Sequence, residues 1–120
     1  MAKIMTVDDS VSLRKLVASA LQAAGHNVSE ADSGASALNV AKTTSFDLVI
    51  SDLNMPGMDG LTLVSQLRQL PAYRSTPILI LTTEMDPQKN QAAKAAGATG
   101  WLVKPFDPAQ LLATIRKVLD

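Results

Sequence analysis

The sequence of 120 residues contains no cysteine and very few aromatic residues. The missing cysteines exclude disulfide bonds, thiolate metal sites and cysteine nucleophiles. Because there are only one Trp, one Tyr and two Phe, the hydrophobic core has to be built from aliphatic side chains. The length suits a single domain over residues 1–120, which can bury a core without covalent staples.

The chain also lacks an excess of either charge, with 11 basic and 11 acidic residues. A nucleic-acid-binding or membrane-surface protein would carry a basic excess, so the balance argues against both kinds of partner. No apolar run approaches the roughly 20 residues of a membrane span, and the first residues show no signal peptide. We therefore expect a cytoplasmic protein without nucleic-acid or membrane partners, and nothing in the sequence requires more than a monomer.

Two kinds of segment alternate along the chain. Five short apolar segments are typical of parallel strands, which are covered on both faces, and longer segments with helical periodicity separate them. The predicted strands are Lys3 to Val7, Asn27 to Ala31, Asp47 to Ser51, Pro77 to Thr82 and Thr99 to Val103. The predicted helices are Ser10 to Ala24, Ser33 to Lys42, Leu61 to Leu70, Pro87 to Ala96 and a C-terminal helix that begins at Pro108.

Turn and capping residues agree with this alternation. Gly25 and Gly97 stand where helix C-terminal caps are expected, and Asp86-Pro87 and Asp107-Pro108 each supply an N-cap followed by proline. Five β-α units predict an α/β fold with a parallel sheet between two layers of helices. The Ala-rich stretch 92–96 predicts a thinly packed helix. In the first helix, the predicted buried face consists of Leu13, Leu16, Val17, Ala20 and Leu21.

Reactive residues gather at the carboxyl ends of the predicted strands. Asp8 and Asp9 follow the first strand, Asp52 follows the third, Thr82 ends the fourth and Lys104 follows the fifth. Ligands of open α/β sheets bind at this edge. If these strands end on one edge, three carboxylates converge there, and crowded carboxylates repel one another unless a cation is bound. Mg²⁺ takes a few carboxylate oxygens and keeps several waters, so the set predicts a Mg²⁺ site.

A carboxylate beside Mg²⁺ is also a possible phosphoryl acceptor, with lysine and threonine as partners for the phosphoryl oxygens. Each residue alone has a simpler explanation. Asp8 and Asp9 could belong only to a helix N-terminus, Asp52 to a turn, and Thr82 and Lys104 to an ordinary strand end and surface. The coincidence of all of them after independently predicted strands favours a site.

These residues resemble the receiver domain of response regulators, and the resemblance covers essentially the whole chain. The matching segments are Val7 to Ser10, Ser51 to Gly60, Leu81 to Glu84 and Val103 to Phe106. Within the family the chain is most similar to the chemotaxis regulators. The resemblance implies a flavodoxin-like, doubly wound sheet of five parallel strands in the order 2-1-3-4-5.

The resemblance also implies a role for each acidic residue of the cluster. Asp52 would be the phosphoacceptor. Asp8 and Asp9 would organise Mg²⁺, one directly and one largely through water. Asp52 and the backbone carbonyl of Asn54 would complete the metal's protein ligands.

Further positions would transmit the signal. Thr82 would bind the phosphoryl group and shift toward it, and Lys104 would bridge that group and the acidic cluster. Pro105 resembles a position that follows a cis peptide bond in the family. Trp101 occupies the place of a switch ring that is usually Tyr or Phe, although it could instead only cover the edge of the core. Glu84, with Asn54, resembles the chemotaxis type of residue beside the site.

The implied function is that of a single-domain regulator in a two-component phosphorelay. The donor would be a histidine kinase like the chemotaxis kinase, the target a flagellar motor switch protein or another protein, and a phosphatase could reset the switch. Alternatives within the family are a phosphate sink, a relay intermediate, or a receiver domain cut from a longer protein.

Three other functions were weighed against this one. A Mg²⁺-dependent phosphatase would need a second aspartate close after the nucleophile, where Asn54 stands, and an insertion that forms a cap. A flavin-binding protein would need a phosphate-cradling loop after the first strand, where Asp8 and Asp9 repel phosphate. A degenerate receiver that only binds partners is disfavoured by the complete set of site residues. We therefore expect a switch protein and not a conventional enzyme, although it would promote its own phosphorylation and dephosphorylation.

Overall fold

The computed structural model describes residues 2–83 and 87–119. Five parallel strands form one sheet in the order β2-β1-β3-β4-β5, which confirms the expected doubly wound α/β fold. The strands are β1 (Lys3–Val7), β2 (Asn27–Ala31), β3 (Leu48–Asp52), β4 (Ile78–Thr82) and β5 (Gly100–Val103). The helices are α1 (Val11–Ala23), α2 (Gly34–Thr43), α3 (Gly60–Gln69), α4 (Pro87–Ala96) and α5 (Pro108–Leu119). A short 3₁₀ helix at Pro71–Tyr73, which the sequence did not predict, joins α3 to β4.

Helices cover both faces of the sheet and divide the core into two layers. On one face, buried residues of α2 and α3 pack against the strands. On the other face, Val17 and Leu21 of α1 meet Leu111 and Ile115 of α5 over the sheet. The strands β1, β3 and β4 lie in the middle of this arrangement and are almost completely buried. The core is mostly aliphatic, as the composition predicts, although Phe46 and Tyr73 are also buried in it.

The predicted buried face of α1 includes one exposed residue, Leu16, and omits Ala18, which is buried. Val17 and Leu21 are buried, whereas Leu16 is 55% exposed. Leu16 lines a shallow groove with Phe106 and Pro108, at the rim where α1 and α5 meet. A residue at such a rim satisfies the helical period, yet no neighbouring element covers it.

The helix ends are fixed by the residues that the sequence indicated. Asp107 caps α5, since its Oδ1 accepts a hydrogen bond from Gln110 N at 2.7 Å and its own N–H donates to Gln110 Oε1 at 3.0 Å. Gly25 and Gly97 have φ angles of 92° and 110°, the left-handed region that glycine adopts without strain. The predicted cap at Asp86 lies outside the described residues.

Strand β3 differs from its prediction in a way that matters for the site. It begins at Leu48 and includes Asp52 as its last residue, one position later than expected. The reason is that Leu53 N donates to Leu81 O at 2.9 Å, so the ladder between β3 and β4 continues past Asp52. The backbone that carries Asp52 is therefore part of the sheet.

Among the described helices, none is both long and apolar enough to cross a membrane.

Candidate functional site

Three carboxylates meet at the carboxyl edge of the sheet. Oxygen atoms of Asp8, Asp9 and Asp52 lie within 4.8 Å of one another. Asp8 is 2% exposed and Asp52 8%, whereas Asp9 faces solvent. The adjacency of β1 and β3 in the sheet produces this meeting, because each strand delivers its acidic residue at the same edge.

A lysine from the end of β5 reaches into this cluster. Lys104 Nζ lies 2.6 Å from Asp52 Oδ1, which is a charge-assisted hydrogen bond, and 4.0 Å from Asp8 Oδ2. The lysine side chain is 16% exposed, so this pair is only weakly screened by water. Lys104 is positioned by the sheet, since its backbone N–H donates to Thr82 O at 2.7 Å.

The two oxygens of Asp8 have very different surroundings. Oδ1 accepts a hydrogen bond from Ser10 N at 2.8 Å. Oδ2 is buried and has no hydrogen-bond partner among the described residues. Burial raises the pKa of Asp8, and the charge of Asp52 raises it further, although the bond from Ser10 opposes this shift. Ionisation of Asp8 is therefore less favourable here than in water, and a cation near Oδ2 would offset that cost.

The donor set fits a small, hard cation. Carboxylate oxygens are the ligands that Mg²⁺ prefers, and the exposed Asp9 leaves one side of the cluster open to the waters that Mg²⁺ keeps. The orphaned Oδ2 of Asp8 is a buried atom that a cation would satisfy. This acidic pocket can thus bind a metal ion.

The main chain of Asp52 is held from two further directions. The Ser51 hydroxyl donates to Asp52 O at 2.9 Å within the buried core. Gly60, the first residue of α3, packs so tightly on this carbonyl that a Cβ atom would stand 2.4 Å from Asp52 O. Only glycine permits this approach, so the start of α3 packs directly against the Asp52 backbone and restricts its movement.

The other residues singled out in the sequence surround this cluster at different depths. Thr82 is buried at the end of β4, next to Leu81, which pairs with Asp52. Asn54 and Pro105 are exposed beyond the ends of β3 and β5, and the bond between Lys104 and Pro105 is cis, as the resemblance implied.

The sequence also indicated Trp101 and Glu84 as part of the output region, and only Trp101 lies among the described residues. Trp101 is 36% exposed on β5, beside Lys94 and Thr99. This partial exposure is compatible with both interpretations of Trp101, a switch ring and a cover for the edge of the core. Glu84 lies outside the described residues.

Sequence reasoning missed four residues that support the site: Arg14, Glu30, Ser51 and Gly60. A glycine placed directly after the N-cap Asp59 was a usable signal for a close approach, because glycine is a poor helix former. The contacts of Arg14 and Ser51 depend on tertiary structure and left no comparable signal.

Comparison with known proteins gives consistent matches over nearly the whole chain. Residues 4–116 match the response regulator receiver domain. The chain is 37% identical to chemotaxis protein CheY-3 of Vibrio cholerae, over 98% of this chain and 92% of that protein. It is 34% identical to chemotaxis protein CheY of Pseudomonas aeruginosa, over 98% and 96% of the two chains. The solved structure of chemotaxis response regulator CheY4 of Vibrio cholerae is similar with a TM-score of 0.95 and 52% identity, covering 98% of both chains.

Proposed function

Because this chain belongs to the response regulator receiver domain family, we propose that it is a phosphorylation switch that accepts a phosphoryl group on Asp52. A receiver domain is a signalling module and not a conventional enzyme, so the product is a modified protein with a changed surface. The observation that carries the proposal is the contact of Lys104 with Asp52, 2.6 Å long, beside the buried and unpartnered Oδ2 of Asp8. A purely structural ion pair would not need two further carboxylates around it.

Phosphoryl transfer at this site would proceed by attack of a carboxylate oxygen of Asp52 on phosphorus. The new bond joins that oxygen to phosphorus, while the bond from phosphorus to the donor's leaving group breaks and its electron pair leaves with that group. Asp8, Asp9, Asp52 and the backbone carbonyl of Asn54 would hold Mg²⁺, which neutralises charge on the transferred group. Lys104 would then exchange part of its pairing with Asp52 for the phosphoryl oxygens.

The phosphorylated state would differ from the free state around β4 and β5. Thr82 is buried at the end of β4. A small shift there would bring its hydroxyl toward the new acceptor oxygens of the phosphoryl group. Helix α4 offers a thin contact with the core, since Ala93 is its only buried residue among those whose side chains are described. A switch that repacks this helix and the exposed Trp101 would create a protein-binding face, and a partner that prefers it would capture the state.

The relatives support a role in chemotaxis, because all three that are described above carry that word in their names. In this proposal the chain is a cytoplasmic monomer made of one receiver domain. A histidine kinase is the donor, a flagellar motor switch protein or another protein is the target, and a phosphatase resets the switch.

Intact-mass spectrometry after incubation with Mg²⁺ and acetyl phosphate tests the central step. We expect the gain of one phosphoryl group, lost in Asp52→Asn and lost when EDTA removes the metal. Asp59→Asn is a matched control, because Asp59 is exposed at the same edge and asparagine can keep its capping bond to Thr62 N. Phosphorylation of Asp52→Asn at the native level would contradict the proposal.

The single tryptophan allows the switch itself to be tested. On phosphorylation we expect a change in Trp101 fluorescence and altered amide exchange over residues 87–96. An unchanged signal from both probes on a fully phosphorylated sample would contradict the switch while leaving the phosphoryl acceptor intact.

A further inference from the structure

We propose that Arg14 is a positioning residue that holds the loop carrying Asp8 and Asp9 in its metal-binding shape, with Glu30 as its anchor. This inference rests on the proposed function, because it concerns how the same acidic pocket is prepared for its cation. Arg14 touches neither the cluster's carboxylates nor Lys104 in any described contact. Arg14 instead contacts the backbone of the loop that carries Asp8.

Arg14 bridges the loop and the edge strand of the sheet. Its Nη1 donates to the backbone carbonyl of Asp8 at 2.7 Å, and its Nε donates to Glu30 Oε1 at 3.0 Å. The guanidinium is planar, so fixing one end of it on Glu30 fixes the direction of the other N–H groups. The Arg14 side chain is only 12% exposed, which limits competition from water.

Glu30 is a firm anchor for this bridge. It lies on β2, where it pairs in register with Thr6 of β1. Its second oxygen, Oε2, accepts a hydrogen bond from Lys15 Nζ at 2.9 Å. The bond from Lys15 and the bond from Arg14 lower the pKa of Glu30, so it stays ionised throughout the physiological pH range.

The result is that the backbone of Asp8 is held at both of its polar groups. Its N–H donates to Ala31 O at 3.1 Å, and its carbonyl accepts from Arg14. The Asp8 side chain is then directed by the bond from Ser10 N. This restraint opposes a repulsion, because oxygen atoms of Asp8, Asp9 and Asp52 lie within 4.8 Å of one another and carboxylates this close repel when no cation is bound. Without Arg14 we expect the loop to relax away from Asp52 and to lose its preorganisation.

Lys15 provides a matched control within the same network. It forms an ion pair with Glu30, as Arg14 does, but its side chain is 63% exposed and no described contact joins it to the Asp8 loop. If the network only stabilised the fold, neither variant would change the Mg²⁺ affinity of the folded protein. If Arg14 positions the loop, the two variants differ in metal affinity.

The test is the dissociation constant for Mg²⁺, measured by isothermal titration calorimetry on the native chain, Arg14→Ala and Lys15→Ala. Partners that orient metal ligands typically contribute about 10- to 100-fold to affinity, so we expect Arg14→Ala to weaken Mg²⁺ binding by roughly 10-fold or more. Lys15→Ala should stay within about twofold of the native value, as expected for an exposed ion pair. At saturating Mg²⁺, phosphorylation of Arg14→Ala should recover toward the native rate, because the chemical groups are intact.

Amide exchange of residues 8–10 in EDTA gives a second readout that does not require the metal. It should accelerate in Arg14→Ala and stay unchanged in Lys15→Ala. Glu30→Ala, which removes the anchor, replaces Arg14→Ala if that variant does not fold, and a loss of affinity in the same direction is expected. Equal Mg²⁺ affinities of the native chain and Arg14→Ala, with both shown to be folded by urea titration, would overturn the inference alone. A native chain that binds no Mg²⁺ would overturn the proposed function and this inference with it.

Discussion

Lys104 Nζ lies 2.6 Å from Asp52 Oδ1 and 4.0 Å from Asp8 Oδ2, so one ammonium group faces two buried carboxylates. The closer contact pairs it with Asp52, and the longer one leaves Asp8 Oδ2 without a hydrogen bond from any described residue. Without a metal, the charge of Asp52 is therefore paired directly with an ammonium group, whereas that of Asp8 is not. This difference is the physical basis of the predictions about metal binding and stability that follow.

Removing the ammonium should destabilise the metal-free protein. Lys104→Ala leaves Asp52 and Asp8 facing each other without a cation, and loss of a hydrogen bond between charged groups costs roughly 2 to 3 kcal/mol. Urea titration in EDTA should show this decrease in the free energy of unfolding, and added Mg²⁺ should restore part of it by binding the folded state. Lys94→Ala is the control, since Lys94 is exposed on α4 and its loss should change stability by about 0.5 kcal/mol or less. An equal effect of the two variants would contradict the account.

Removing the charge of Asp8 should have the opposite effect. Burial raises the pKa of Asp8 in the folded state, so the folded state binds its proton more tightly than the unfolded chain does. Stability contributed by this group therefore falls as the pH rises from the unfolded pKa, about 3.9, through the raised folded pKa, and is constant above that.

Asp8→Asn should accordingly be more stable than the native chain in EDTA at pH 7, because asparagine can keep the bond from Ser10 N without the buried charge. The difference should shrink at pH 4, because the raised pKa of the folded state makes the native Asp8 take up its proton more readily as the pH falls. The same variant should lose the stabilisation that Mg²⁺ gives the native chain. Urea titration at both pH values measures this, and a variant less stable than the native chain at pH 7 would be inconsistent with the raised pKa.

A single methyl group at the start of α3 should disturb the phosphorylation site. In Gly60→Ala the new Cβ would stand 2.4 Å from Asp52 O, so the Asp52 backbone or the helix has to move. Overpacking of this kind costs about 1 to 3 kcal/mol. A displacement of the attacking carboxylate should slow phosphorylation by acetyl phosphate roughly 10-fold or more.

Gly100→Ala is the matched control for that methyl group. Its Cβ would meet Leu79 Cδ2 at 3.5 Å, which is an ordinary contact, and β5 lies away from the Asp52 backbone. Its phosphorylation rate should match that of the native chain. A native rate in Gly60→Ala would show that the close packing on Asp52 O is not needed for the reaction.

Arg68 should contribute to stability through its carbonyl contacts, and lysine should not replace it. Its guanidinium donates to Tyr73 O and Thr76 O at 2.6 Å each and to Gly97 O at 2.8 and 3.0 Å. It thereby joins α3, the 3₁₀ helix and the turn after α4. Loss of these bonds should lower the free energy of unfolding by roughly 2 kcal/mol or more in Arg68→Ala.

An ammonium group cannot reach three carbonyls in a planar fork, so Arg68→Lys should recover little of this stability. Urea titration gives the free energies, and faster amide exchange at residues 97–99 should accompany the loss. Full recovery in Arg68→Lys would indicate that the charge matters more than the geometry.

The sequence predicted those features that follow from local pattern. Four strands are marked by short apolar runs, whereas the edge strand β2 (Asn27–Ala31) also contains Asn, Ser and Glu. The acidic residues at the ends of β1 and β3 are expected to meet because parallel strands end at one edge. The strand order was implied only by the family resemblance, since alternation of strands and helices allows several orders. The residue-by-residue roles in the switch are still predictions.

Other features could not be read from the sequence because they depend on neighbours far along the chain. The contact of Arg14 with Asp8 O needs the anchor Glu30 on another strand. Leu16 fits the helical period of α1, but its exposure depends on how closely α5 packs there. The extension of β3 through Asp52 was missed because the sheet ladder, and not residue preference, sets that boundary.

Direct mapping of the modified residue tests the central claim most directly. After incubation with Mg²⁺ and acetyl phosphate, borohydride reduces an acyl phosphate to an alcohol, so a phosphorylated aspartate becomes homoserine. Tandem mass spectrometry should find homoserine at position 52 alone, and only in samples that contained both Mg²⁺ and the donor. Reduction at another carboxylate of the cluster, or at none in a fully folded sample with Mg²⁺ bound, would contradict the account of Asp52 as the phosphoryl acceptor.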